Sequence, residues 1–146
     1  MDDTVTKDWD ILLGAELRDM SSIHQGGRRR LYFSTEFVKW ILNGTKTATT
    51  RVDNFVFEDG DVEKVGDLKS GDVVDGVDDE ERTFAVLEIT KDPEKRTYES
   101  IDDQLAKIEN FKNAKELKLV LKKFYKELKP ESPLVVVYFR VRSSTV

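Results

Sequence analysis

The chain has 146 residues, 38% of them hydrophobic and 36% charged, and a net charge of −5; this is enough apolar material for one domain with its own core. The absence of cysteine removes disulfide scaffolds and thiolate metal sites, and a single histidine, His24, excludes the His/Cys/Cys zinc cluster of a nucleobase deaminase. No apolar run approaches the roughly twenty residues of a membrane span, and the acidic start Asp2-Asp3 does not resemble a signal peptide, so a soluble intracellular (cytoplasmic) protein without membrane partners is expected.

Residues 1–30 read as an N-terminal extension in which Trp9, Ile11, Leu12, Leu13, Leu17 and Met20 predict a short amphipathic helix ending near Gly26-Gly27. Residues 31–146 read as the domain proper. Leu31 to Phe33 is the first expected strand. Ser34 or Thr35 offers an N-cap hydroxyl for a helix running to about Asn43, with Phe37, Val38, Ile41 and Leu42 on its apolar face. Gly44 sits where such a helix stops, because a residue without Cβ takes the left-handed conformation freely. The β-branched Thr47, Thr49 and Thr50 then favour a strand.

The stretch 53–66 is acidic and broken by glycine, and predicts a loop or hairpin. Lys69 to Asp72 is a turn into a strand at Val73-Val74. Thr83 to Thr90 is apolar on both faces, as a strand inside a closed sheet would be. The spacing of Leu117, Val120, Leu121, Phe124 and Leu128 predicts a helix from about Ala114 to Leu128, with Asn113 and Glu116 as a capping box. Pro130 and Pro133 end it and lead into a strand over 134–141. This order predicts an α+β fold: a small barrel with flanking helices.

Charge is unevenly distributed. Acids dominate from Glu58 to Asp103, whereas 104–129 carries Lys107, Lys112, Lys115, Lys118, Lys122, Lys123, Lys126 and Lys129, and Arg28-Arg29-Arg30 forms a second basic spot. Each is a solvated face or an RNA-facing surface; the second reading requires the lysines to share one side of the fold.

The densest chemistry lies at 44–51, Gly-Thr-Lys-Thr-Ala-Thr-Thr-Arg, where helix gives way to strand. A hydroxyl that serves as a nucleophile needs a proton acceptor about 3 Å away. Lys46 and Thr49 are candidates, yet three positions apart on a regular strand they face opposite ways, so a shared site requires a twist or bulge at Thr47-Ala48. A lysine also starts near a pKa of about 10.4 and must fall by roughly three units to act as a base at neutral pH. Desolvation and Arg51 would lower it; an ionised Glu109 in contact would raise it. Read alone, Lys46 and Thr49 are ordinary exposed residues of a threonine-rich strand, Glu109 is a carboxylate favourably placed near the N-terminal end of the long helix, Arg51 is a surface partner of Asp53, and Trp40 is a packing residue.

The pattern Phe37, Ile41-Leu42, Gly44, Lys46-Thr47, Thr49, Arg51 resembles the opening signature of the ASCH domain family, small proteins with a barrel similar to the PUA RNA-binding domain. The resemblance continues at Thr83–Thr90, at Ile108-Glu109-Asn110 and along the following helix to the last strand, and is closest to the bacterial N4-acetylcytidine amidohydrolase branch. That resemblance implies a metal- and cofactor-independent hydrolase in which Lys46 is the proton acceptor, Thr49 the nucleophile and Glu109 the proton donor, with Arg51 and Thr47 binding a modified nucleoside. It equally admits a non-catalytic RNA-binding module, or a ribonuclease using the same cleft. Thr45 departs from the pattern, since relatives often carry a second basic residue there.

Overall fold

The computed structural model describes residues 28–144; the helix expected within residues 1–30 lies outside them. Its frame is a pair of long antiparallel strands, β6 (Thr83–Thr97) and β7 (Pro133–Ser144). On one side of them β5 (Val73–Val77) pairs with β6, and β1 (Arg29–Tyr32) runs parallel to β5. On the other side β2 (Ala48–Arg51) pairs antiparallel with β7, giving the sheet order β1-β5-β6-β7-β2. A two-stranded hairpin, β3 (Phe55–Val56) with β4 (Val62–Glu63), stands apart.

Among the described residues no backbone ladder joins the two edge strands, β1 and β2, into a closed barrel. A side chain spans them instead: Arg51 Nη2, from β2, donates to the Tyr32 carbonyl at the end of β1 at 2.6 Å. The architecture is the expected α+β arrangement, a five-stranded sheet with flanking helices.

The sheet bends through register shifts in the β6–β7 ladder between Val86/Leu87 and around Lys91, the sites where an extra residue increases local twist. One curved face packs Phe33 against Phe84 and Phe139, with ring centroids 6.0 and 5.7 Å apart. Gly76 on β5 is required by this packing, since a Cβ there would meet the Phe84 ring.

Among the described residues three α-helices flank the sheet. A 3-10 turn (Thr35–Phe37) leads into α1 (Val38–Leu42); Ser34 makes no capping hydrogen bond through its side chain. Gly44 has φ +83° and ends that segment, as its position in the sequence anticipates. α2 (Asp103–Ile108) is capped by the Asp102 carboxylate, which accepts from the Leu105 amide. α3 (Ala114–Phe124) is capped by Asn113, whose side chain accepts from the Glu116 amide at 3.0 Å. No helix among the described residues is long and apolar enough to cross a membrane.

α3 ends four residues before the expected Leu128. Leu117 and Leu121 are buried, but Phe124, expected on the apolar stripe, is half exposed, and Leu128 reaches the core from beyond the helix. The Arg28-Arg29-Arg30 run is not an open basic patch: its members pair with Asp75, Asp67 and Glu81.

Candidate active site

The 44–51 segment delivers its side chains through two devices. First, the amides of Thr45 and Lys46 both donate to the Trp40 carbonyl, so the chain folds back against α1 before β2 begins. Second, Thr47 ties into its surroundings through the backbone: its amide donates to the Ile108 carbonyl at 2.9 Å and its carbonyl accepts from the Phe139 amide at 3.0 Å. Ala48 to Arg51 then pair with Tyr138 to Val135 without a register shift. The twist or bulge at Thr47-Ala48 that a shared Lys46–Thr49 site would require is therefore absent, and ordinary strand alternation governs where the side chains go.

Alternation puts Thr49 and Arg51 on one face and Thr50 on the other. The contacts follow that division. Lys46 Nζ donates to Glu109 Oε1 at 3.1 Å and lies 3.5 Å from the Glu109 carbonyl. Thr50 Oγ1 donates to the other oxygen, Glu109 Oε2, at 2.5 Å. On the opposite face Thr49 Oγ1 accepts from Arg51 Nε at 2.9 Å, and Arg51 Nη1 pairs with Glu63 Oε2 at 2.7 Å. The structure thus brings Lys46 and Glu109 together and places Arg51 beside Thr49. It does not bring Thr49 into hydrogen-bond contact with Lys46 or Glu109. The Thr47 side chain is exposed.

All these groups except Thr47 are withdrawn from water. Lys46 and Glu109 are each 2% exposed and Thr49 5%, so the reading of Lys46 and Thr49 as exposed strand residues fails, as does that of Arg51 as a surface partner of Asp53. Phe37 and Phe111 enclose the ammonium, with ring centroids 5.2 and 5.3 Å from Lys46 Nζ. Trp40 completes that wall against both rings and is a packing residue, as expected. Arg51 lies 4.8 Å from the Phe33 centroid. These aromatic faces favour a cation electrostatically while excluding water.

Electrostatics follow from the burial. Desolvation pushes the Lys46 pKa below the ordinary lysine range; the Glu109 carboxylate opposes this, and the Arg51 charge adds to it. Desolvation also acts against the Arg51 charge, but Glu63 and its neighbours outweigh it and Arg51 stays firmly charged. The Tyr125 hydroxyl, at the end of α3, is pushed up to about 12 by burial and by the charge of Glu63.

Glu109 occupies a position that sequence reasoning misplaced. It is the C-cap of α2, at the carbonyl end of a helix, rather than a lead-in to the N-terminus of the next one. That end carries partial negative charge, which disfavours a carboxylate. Lys46 and Thr50 offset this by occupying both carboxyl oxygens. Asn110, with φ +70°, then turns the chain toward α3.

Two polar participants escaped the sequence reading. Thr50 was legible in principle, since it shares strand parity with Lys46. Glu63 carried no signal: it lies in the acidic stretch expected as loop or hairpin, and only the fold carries it to Arg51.

Comparison with known proteins places this geometry in context. Residues 28–143 match the ASCH domain family. Among solved structures, the ASCH domain from Lactobacillus crispatus JV V101 superposes with a TM-score of 0.61 at 17% identity, covering 83% of this chain and 87% of that one. Protein EF3133 from Enterococcus faecalis V583 superposes with a TM-score of 0.60 at 20% identity, covering 84% of this chain and 72% of that one. At these identities the two structures speak to the fold alone. A search of curated proteins finds no match. With four fifths of its length in one family match, the chain belongs to the ASCH domain family.

Proposed function

We propose that this protein is a metal-independent amidohydrolase that removes the acyl group from N4-acetylcytidine or a closely similar N-acylated cytosine nucleoside. The observation that supports this most directly is the enclosed Lys46–Glu109 pair on one face of β2, with the Thr49–Arg51 pair on the other. Out of contact with water, a charged ammonium–carboxylate pair loses the solvation that would otherwise favour it over its neutral form. One proton passing from Lys46 Nζ to Glu109 converts the pair into an amine and a carboxylic acid. Those are the base and the acid that amide cleavage requires.

In this reading Thr49 is the nucleophile. Its oxygen accepts from Arg51, which stabilises negative charge there, and its own proton has no acceptor among the described side chains. Thr49 Oγ1 attacks the acyl carbon, and because Thr49 and Lys46 leave β2 on opposite faces its proton reaches the neutral Lys46 amine through intervening water or substrate rather than by direct contact. The C–N bond breaks, the exocyclic nitrogen leaves with the proton from Glu109, and an acyl ester remains on Thr49. Water then hydrolyses the ester, releasing acetate and restoring the hydroxyl. Arg51 also binds the acyl oxygen or the nucleoside, and the exposed Thr47 contacts the substrate rim.

The test is acetate release from N4-acetylcytidine by purified protein. Turnover by the wild type, lost in Thr49→Ala and Lys46→Ala, supports the mechanism. A wild type that releases no acetate, or variants with full activity, would overturn it.

A second reading, RNA binding without catalysis, is favoured by one observation. Lys118 and Lys122 flank the Tyr98 ring, with their ammonium groups 5.7 and 5.6 Å from its centroid, and Lys115 follows at helical spacing. That face would grip phosphates. It predicts RNA affinity that falls steeply with salt and with charge reversal at Lys115, Lys118 and Lys122; a flat salt dependence rules it out.

A further inference from the structure

We propose that Thr50 is a positioning residue that decides which oxygen of Glu109 exchanges a proton with Lys46. The carboxyl group has two chemically equivalent oxygens, and in this site they have different partners. Oε1 faces the Lys46 ammonium at 3.1 Å; Oε2 accepts from the Thr50 hydroxyl at 2.5 Å. A threonine hydroxyl has one proton to donate. While that proton is committed to Oε2, a proton arriving on Glu109 is best accommodated on Oε1, the oxygen that faces its source.

Three features of the site make this arrangement more than incidental packing. Thr50 lies on β2, whose unshifted pairing with β7 fixes its face, so the hydroxyl cannot follow a wandering carboxylate. Glu109 terminates a six-residue helix and is followed by a left-handed Asn110, a junction with little rigidity of its own. Lys46 holds the carboxyl through a long, flexible side chain, which fixes a charge but not a rotamer. Of the two partners, the one on the rigid strand is Thr50. Without it, the carboxyl can rotate and present either oxygen to Lys46, or turn its protonated oxygen away from the leaving nitrogen.

The proton path is balanced within the protein: it leaves Lys46 Nζ, arrives on Glu109 Oε1 and departs to the leaving group, while the Thr50 proton stays on Thr50. The kinetic part of the proposal rests on the hydrolase reading above. The positional part does not.

The experiment compares Thr50→Val, which keeps the branched shape and removes the hydroxyl, with Thr50→Ser, which keeps the hydroxyl. Both are assayed for acetate release from N4-acetylcytidine and both are crystallised. Thr50→Val is expected to fold, since a buried valine suits a strand. Its kcat should fall about tenfold to a hundredfold with KM nearly unchanged, the size expected of a misplaced catalytic group. Thr50→Ser should stay within about threefold of the wild type, and in a Glu109→Gln background Thr50→Val should cost nothing further. Crystals of Thr50→Val should show the Glu109 carboxyl rotated or in two conformers, and those of Thr50→Ser should not.

If the wild type releases no acetate, the hydrolase reading falls and the crystal structures alone judge Thr50. A Glu109 carboxyl that stays in place in Thr50→Val overturns the proposal in either case. So does a Thr50→Val protein devoid of turnover while Thr49→Ala remains active, because Thr50 would then be the attacking group.

Discussion

Lys46 Nζ and Glu109 Oε1 lie 3.1 Å apart with their side chains 2% and 3% exposed, so neither charge has water to fall back on. An ion pair in that setting is held as much by the cost of separating it as by its own attraction.

Removing one member should therefore cost more than removing both. Glu109→Gln leaves a buried ammonium without a counter-charge and is expected to lower unfolding free energy by about 3 kcal/mol. Adding Lys46→Met, which fits the pocket formed by Phe37 and Phe111, should restore part of that loss. Urea unfolding of the two single variants and the double variant would show it, and strictly additive losses would contradict an interacting pair.

The direction of the Lys46 shift sets a pH dependence. In the proposed mechanism the pair works only while it holds the one proton that Lys46 passes to Glu109, so kcat/KM should fall as pH rises through the Lys46 titration, which lies below the ordinary lysine value of about 10.4. Since the Glu109 carboxylate is what opposes the depression, Glu109→Gln should move the Lys46 titration to still lower pH. Heteronuclear NMR of the Lys46 ε-methylene reads this directly. A midpoint at or above the free-lysine value would show that burial does not weaken the hold of Lys46 on its proton, and would count against its passing to Glu109.

Arg51 has three acceptors in different parts of the fold: Thr49 Oγ1, the Glu63 carboxylate and the Tyr32 carbonyl. A lysine ammonium cannot reproduce the planar fork that meets them together. Arg51→Lys should therefore destabilise by about 2 kcal/mol despite keeping the charge. It should also raise hydrogen exchange at the edges of β1 and β2. A variant as stable as the wild type would show that the guanidinium is not needed to join those edges.

Tyr125 makes a prediction at alkaline pH. Its pKa is about 12 in the folded chain against 10.0 as the reference value. A group raised in this way contributes stability that is whole below the unfolded value and is lost as pH rises through the folded one. Between those limits the unfolded chain holds fewer protons, so stability falls with rising pH by up to about 2 kcal/mol. Tyr125→Phe lacks the ionising group, and its denaturation midpoint should fall less than the wild type's above pH 10. Parallel curves would place the titration elsewhere.

How much of this was readable in advance depends on what signal each element leaves. The strand at 83–90 and the helix beginning at Ala114 were legible because their apolar periods are long and regular. The continuation of β6 to Thr97 was not: Lys91 to Arg96 shows no alternation, and Pro93 argues against a strand interior. The fold accommodates it with register shifts around Lys91 and Glu94. α2 escaped notice because six residues hold too little periodicity to register. Missing it put Glu109 at the wrong end of a helix. The burial of Lys46 was also invisible, since the rings enclosing it come from Phe37 and Phe111, brought together only by tertiary packing.

Among the described residues β2 finds its only sheet partner in β7, which starts at Pro133. A nascent chain emerging from the ribosome thus holds Lys46, Thr49 and Glu109 for some time with nothing to align them. Alignment of β2 waits for the segment from Pro133 onward to be synthesised and docked. Proteolytic removal of that segment would leave β2 without its ladder partner among the described residues.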